Sequence, residues 1–288
     1  GLSIPYNDYN GKLLFTANPD ASSLDSNQKL EKFLLHLESM EAKGELPCAL
    51  DLNKFRIDLA KGMHFDSSIP QGFGVGSSGA IVAAIYDNYS QDKIASDSNL
   101  SNEKFIELKK IFGTLESYYH GKSSGLDPLI CYLNLPVLIK SKSEVGTVGL
   151  PDTTTGKGAI FLMNTGTTGK TQPLVQHFME RCKEEGFRKM LRGQFKKYND
   201  ACIEAFLNKK SKPLLVNMKG LSKILLEHFK PMIPKVYHKL WQEGIDSNAY
   251  YLKLCGSGGG GFILGFTEDI EKAKSKLQGY PLNVIHRF

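Results

Sequence analysis

The sequence predicts an α+β fold in two domains, residues 1–160 and 161–288. Three observations carry that prediction. Short apolar strands and amphipathic helices mix without a strict βαβ alternation. Residues 171–243 are mostly helical in pattern, and the chain after them is rich in strands. The 288 residues suffice for one large domain or two ordinary ones, and 41% hydrophobic with 23% charged residues supports a buried core.

The elements follow in order. Residues 2–15 and 45–60 hold short apolar and alternating runs, such as Lys12-Leu13-Leu14-Phe15 and Phe55-Arg56-Ile57-Asp58-Leu59, and read as strands. Between them, residues 26–42 place Leu30, Phe33, Leu34, Leu37 and Met40 on one helical face, with His36 off it and exposed. Residues 80–89 read as an apolar helix. Residues 101–120 form the clearest helix, striped by Phe105, Leu108, Ile111, Phe112, Leu115 and Tyr119, started by Ser101 or Asn102 and ended by Gly121. A further helix is expected to start at Asp127-Pro128, with the aspartate as its cap.

Residues 137–139 read as a strand, 141–158 as a loop rich in Gly, Thr and Ser, and 159–163 as a buried strand. In the helical block, breaks are expected around Gly186, at Lys212-Pro213 and over 231–234, and Trp241 is expected in the core. The end reads as strand 249–254, glycine loop 256–261, strand 262–266, helix 268–278 and a short strand around Val284-Ile285.

Composition narrows the function. The net charge of +6 comes partly from pairs such as Lys109-Lys110, Lys196-Lys197 and Lys209-Lys210, which read as solvated helix faces and not as a nucleic-acid stripe. A mildly basic balance suits an enzyme that handles anions. Five cysteines without a Cys-x-x-Cys pair argue for reduced thiols in a cytoplasmic protein, against a zinc site or a disulfide scaffold. No apolar run approaches the ~20 residues of a membrane span, and no signal peptide opens the chain.

Three segments carry chemistry. The first is Pro70-Gln71-Gly72-Phe73-Gly74-Val75-Gly76-Ser77-Ser78-Gly79-Ala80, a glycine-rich loop running into a helix. Its glycines let backbone N–H groups turn inward, and the helix start adds amides and a positive dipole end, so the loop suits a polyphosphate. It has neither the Walker nor the Rossmann spacing, and a flexible turn with a serine cap is the bland alternative.

The second segment runs from Glu116 to Pro128, and the third from Lys253 to Gly261. A carboxylate and a hydroxyl beside a phosphate loop would suit Mg²⁺, and a second carboxylate could take a proton from an acceptor hydroxyl. Taken singly, Asp127 is equally a helix cap, Glu116 a solvated residue, His120 its surface partner, and 258–261 a tight turn.

Together and in this order, the segments resemble the GHMP kinase family, and most of all mevalonate kinases. Pro70 to Ser78 resembles the family's ATP-binding signature, and Gly256 to Gly261 its C-terminal glycine motif. Glu116, His120, Gly121, Ser124, Gly125 and Asp127 match the Glu-x-x-x-His-Gly-x-x-Ser-Gly-x-Asp spacing of mevalonate kinases. Asn164-Thr165-Gly166 and Thr171-Gln172-Pro173-Leu174-Val175 also resemble a segment of those kinases.

The resemblance implies an S5-like N-terminal domain, a ferredoxin-like C-terminal domain and an active site in the cleft between them. It implies ATP and Mg²⁺ as cofactors and phosphorylation of a small-molecule hydroxyl, mevalonate to 5-phosphomevalonate, in isoprenoid supply. Phosphomevalonate, homoserine or a sugar is the alternative acceptor; a non-catalytic ligand-binding protein is a further alternative. The partners would be ATP and the acceptor, with no nucleic acid and no membrane, in a monomer or homodimer.

By the same resemblance, Ser78 and Glu116 would hold the metal and Asp127 would be the base. Pro70, Gly72, Gly74, Gly76, Ser77, Ser78 and Gly79 would wrap the nucleotide, with Gly256, Gly258 and Gly259 on the closing side. Ser124 and His120 would support them. Gly79 stands where the family often has alanine. The family's earlier motif supplies a lysine near the transferred phosphate and Glu and His residues at the acceptor. It has no counterpart here, which implies a chain cut at Gly1 or a variant that turns over slowly.

Overall fold

The computed structural model describes residues 1–6, 10–70, 73–97, 100–141, 144–151, 155–169 and 171–288, apart from the side chains of His120 and Thr171. The chain divides into two compact units. The N-terminal unit comprises Leu2–Ile69 and Gly76–Val148; the C-terminal unit comprises Pro70–Val75 and Gly149–Phe288, together with Gly1.

The N-terminal unit contains β1 (Leu2–Ser3), β2 (Gly11–Phe15), α1 (Ala21–Ala42), α2 (Leu52–Ala60), β3 (Met63–Ser67), α3 (Ser77–Tyr89), α4 (Asn102–His120), α5 (Leu126–Leu133), β4 (Val137–Ile139) and β5 (Val145–Thr147). Strands β2 and β3 pair antiparallel; β1, β4 and β5 form a second antiparallel sheet with β4 in the middle. The helices bury the apolar stripes that the sequence shows. Phe33, Phe55, Tyr86, Phe112 and Leu115 are fully buried, and the Tyr86 ring meets Phe112 edge-on at 5.0 Å.

Several expectations need correcting. Residues 52–60 are a helix and not a strand. Alternation at Phe55, Ile57 and Leu59 suggested a strand, but Ile57 is exposed while Leu52, Phe55 and Leu59 are buried on one helical face. The Asp51 carboxylate fixes the start by accepting from the Lys54 amide at 2.8 Å. Helix α1 begins five residues earlier than the expected start at residue 26, because Asp20 caps it through the Ser23 amide at 2.7 Å.

The stretch 141–158 is not all loop, since β5 pairs with β4 inside it. Asp127 is not a cap. Gly125, at φ 72°, takes that place, and Asp127 sits in the first turn of α5, where a negative charge suits the helix dipole.

In the C-terminal unit, β6 (Ala159–Asn164) is followed by α6 (Thr171–Arg181), α7 (Glu185–Met190), a π-helical turn (Leu191–Phe195), α8 (Lys196–Leu207), α9 (Ser211–His228), two 3₁₀ turns (Lys230–Met232 and Lys235–Tyr237) and α10 (His238–Ser247). Then come β7 (Tyr251–Leu254), β8 (Phe262–Thr267), α11 (Ile270–Lys276) and β9 (Leu282–Arg287). The breaks expected around Gly186 and Lys212-Pro213 fall just ahead of those residues, at 182–184 and 208–210. Gly186 lies within α7, and Pro213 falls in the first turn of α9, where a missing N–H costs nothing.

The four strands form one antiparallel sheet in the order β7-β8-β6-β9. Strand β8 is inserted between β6 and β7, which is the split βαβ arrangement of ferredoxin-like sheets. Buried Trp241 donates to the Ser222 carbonyl at 3.1 Å, and the Ser222 hydroxyl accepts from the Leu252 amide at 3.2 Å, so α10, α9 and β7 are tied together. Among the described residues, no helix is long and apolar enough to cross a membrane.

Candidate active site

The glycine loop ends at the start of α3. Gly74 has φ 73° and Gly76, the N-cap of α3, has φ 77°, a region that an L side chain enters only at a cost of roughly 1–2 kcal/mol. Ser77 and Ser78 follow as the first two helical residues. A helix start of this kind presents amides and a positive dipole end to an anion. Gln71 and Gly72 lie outside the described residues.

Helix α3 packs tightly on the start of α5. A Cβ built on Gly76 would lie 3.4 Å from the Asp127 Cβ and 3.7 Å from Asp127 Oδ2. At Gly79 it would come within 2.7 Å of the Pro128 nitrogen and 2.9 Å of the Asp127 Cβ. The absent side chains at Gly76 and Gly79 therefore let the Asp127 carboxylate sit beside Gly76 at the start of α3. Asp127 itself is exposed.

Glu116 reaches the same place from α4. It is only 4% exposed, and the Ser78 hydroxyl donates to its Oε1 at 2.9 Å. Its other oxygen, Oε2, accepts a hydrogen bond from the Ser123 hydroxyl. Ser123 is delivered by a close backbone approach. A Cβ on Gly125 would lie 2.1 Å from the Lys109 carbonyl oxygen and 2.6 Å from the Gly113 amide nitrogen. The 123–125 turn thus lies directly on α4, one helical turn before Glu116.

The charges here act on their neighbours. Burial, aided by the negative charges of Asp127 and Glu116, pushes the Cys131 thiol up to about 12. Burial, with Tyr118 and Glu116 adding to it, also raises the Tyr119 phenol.

In the C-terminal unit the two glycine loops touch through their backbones. The Phe262 amide donates to the Phe73 carbonyl at 3.2 Å, and a Cβ on Gly261 would lie 2.5 Å from the Phe73 Cα. Gly74 lies against the Cys255 carbonyl, 3.2 Å from where its Cβ would be. Gly256, Gly258 and Gly259 have φ of 55°, 75° and 80°. The Gly259 amide donates to the Met232 carbonyl at 2.7 Å, and the Gly261 amide to that of Thr167 at 2.6 Å. Side chains at Gly258, Gly260 and Gly261 would collide with backbone, so glycine there is a packing requirement, whereas Gly256 has room and Gly259 is crowded by the Leu174 side chain.

Among the described residues, no group of three or more His, Cys, Asp and Glu side chains forms a metal cage. The Ser78 hydroxyl and the Glu116 carboxylate, however, are two hard oxygen donors side by side. That set fits Mg²⁺, which takes one or two protein carboxylates and completes its shell with phosphate and water.

A sequence search of curated proteins finds no match. Residues 42–134 match the family model described as GHMP kinases N terminal domain. Among solved structures, Methanococcus jannaschii mevalonate kinase aligns over 100% of this chain and 87% of its own at 17% identity, with a TM-score of 0.51. L. major mevalonate kinase, solved with R-mevalonate, aligns over 94% and 81% at 17% identity, with a TM-score of 0.54. Streptococcus pneumoniae phosphomevalonate kinase, solved with phosphomevalonate and AMPPNP, aligns over 96% and 89% at 15% identity, with a TM-score of 0.55.

The chain has the GHMP kinase fold. Within this GHMP kinase fold, the three residues expected to act together come from α3, α4 and the start of α5. Ser78 and Glu116 are hydrogen-bonded, and Asp127 lies against Gly76 and Gly79. Gly76, Ser77 and Gly79 lie at the start of α3 in the N-terminal unit, while Pro70, Gly74, Gly256, Gly258 and Gly259 belong to the C-terminal unit. The Ser124 hydroxyl accepts from the Leu126 amide at 3.4 Å and so helps start α5. Sequence reasoning missed Ser123, which occupies an unspecified position of the motif. Its only signal is a hydroxyl placed two residues before a glycine that must lie on α4.

Proposed function

We propose that this chain is an ATP- and Mg²⁺-dependent kinase that phosphorylates the hydroxyl of a small molecule, and that the acceptor is mevalonate, giving 5-phosphomevalonate. The observation that carries the proposal is the buried Ser78–Glu116 hydrogen bond at the start of α3, with the Asp127 carboxylate against Gly76 at the same helix start. The loop amides and the α3 dipole would hold the polyphosphate. Ser78 and Glu116 would hold the metal, which when bound neutralises charge developing on the phosphoryl oxygens. Asp127 is exposed and lies against Gly76, so it would accept the proton of the attacking hydroxyl while the phosphoryl group transfers in line.

The choice of mevalonate is supported by the spacing from Glu116 to Asp127 and by the likeness in fold to the two mevalonate kinases, one of them solved with R-mevalonate. The test is ADP release by the purified protein with ATP, Mg²⁺ and mevalonate, phosphomevalonate, homoserine or galactose. Turnover is expected with mevalonate. Turnover with another acceptor instead would reassign the substrate within the same chemistry. Nucleotide binding without turnover on any acceptor would make the chain a ligand-binding protein, and absence of Mg²⁺-dependent nucleotide binding would overturn the proposal altogether.

A further inference from the structure

We propose that Ser123 is a positioning residue for the metal carboxylate, an inference that rests on the kinase reading and deepens it. Glu116 is 4% exposed and carries a donor on each oxygen: the Ser78 hydroxyl on Oε1 and the Ser123 hydroxyl on Oε2. The two donors differ in kind. Ser78 opens α3 and is itself a metal-ligand candidate, so its bond to Glu116 is replaceable when a cation enters. Ser123 belongs to the turn behind the carboxylate and takes no part in the glycine loop.

The Ser123 hydroxyl is held in turn. It accepts from the Gly125 amide at 3.0 Å, and the Ser123 amide donates to the Ser117 hydroxyl at 3.2 Å, which donates to the Gly113 carbonyl at 2.6 Å. One hydroxyl therefore joins the carboxylate of Glu116 to the N-cap of α5, two residues before Asp127. A buried carboxylate with one oxygen fixed keeps a single rotamer, leaving the other oxygen aimed at Ser78. Partners that orient a metal ligand in this way are commonly worth ten- to a hundred-fold in metal affinity.

The test reads binding apart from turnover. AMPPNP affinity is measured by titration calorimetry with Mg²⁺ and with EDTA, for the unaltered protein, Ser123→Ala and Ser123→Thr, each with a thermal melt. In the unaltered protein Mg²⁺ is expected to tighten AMPPNP binding. Ser123→Ala is expected to shrink that enhancement about ten-fold or more, to leave the EDTA affinity unchanged, and to be rescued by Ser123→Thr. An Ala variant with a lower melting temperature and an unchanged enhancement would overturn the inference, since the serine would then only hold the turn. A loss that threonine does not restore would also overturn it. If the unaltered protein shows no Mg²⁺ enhancement, the kinase reading fails first, and the two failures are told apart.

Discussion

The Ser78 hydroxyl donates to Glu116 Oε1 at 2.9 Å, although 38 positions separate the two residues. Removing the charge while keeping the shape isolates what this pair does. Glu116→Gln can still accept from one hydroxyl, so its unfolding free energy should fall by only about 1 kcal/mol. Turnover should fall about a hundred-fold or more, as when other preorganised groups at a developing charge are lost. Steady-state kinetics beside a denaturant titration checks both, and unchanged turnover would remove Glu116 from the site.

Asp127→Asn tests the base. The side chain is exposed, so stability should change by about 0.5 kcal/mol at most. The rate constant at saturation should fall about 10²- to 10⁴-fold, with nucleotide affinity nearly constant. A variant that retains its rate would refute the assignment of the proton to Asp127.

Gly79→Ala sets two effects against each other. Alanine within a helix gains about 0.8–1.0 kcal/mol over glycine. Here its Cβ would stand 2.7 Å from the Pro128 nitrogen and 2.8 Å from the Asp127 carbonyl carbon, and backbone cannot rotate away as a side chain can. Overpacking costs about 1–3 kcal/mol, so the clash wins. The variant should melt lower and displace Asp127, with activity reduced more than stability. A higher melting temperature would show that α5 moves without penalty.

Asp58 gives a pH prediction independent of the site. It is buried, accepts from Lys54 Nζ at 2.8 Å and from the Tyr89 hydroxyl at 3.0 Å, and the bond from Lys54 is the main cause of its lowered pKa. A depressed folded-state pKa stabilises the fold above the unfolded value, about 3.9, and this contribution is lost as pH falls through the folded value. The stability gap between the unaltered protein and Asp58→Asn should therefore be constant above about pH 5 and narrow below about pH 4. A gap that stays constant down to the acid transition would contradict the pKa shift.

The legible parts of this protein are those that local patterning controls. The α4 stripe from Phe105 to Tyr119, its Ser101 start and its Gly121 end follow from helical spacing and capping. The Glu116–Asp127 motif brings both carboxylates to the start of α3 because helix and turn lengths are set by sequence. What escaped depends on packing partners. Phe55, Ile57 and Leu59 alternate like a strand, and only burial of Leu52 and Phe55 on one face makes the segment a helix. The cap of α5 falls to Gly125 because only glycine fits against Lys109 and Gly113, a contact that no local pattern announces. Ser123 escaped for the same reason.

Strand β6, Ala-Ile-Phe-Leu-Met-Asn, pairs with strands that begin about a hundred residues later, at Phe262 and Leu282. During synthesis this segment, apolar from Ala159 to Met163, leaves the ribosome long before either neighbour exists. Closing so distant a pairing is slow, and a bare strand edge invites other chains to pair with it. Yield in a recombinant host should therefore depend on chaperone supply and growth temperature more than on the final strength of the fold.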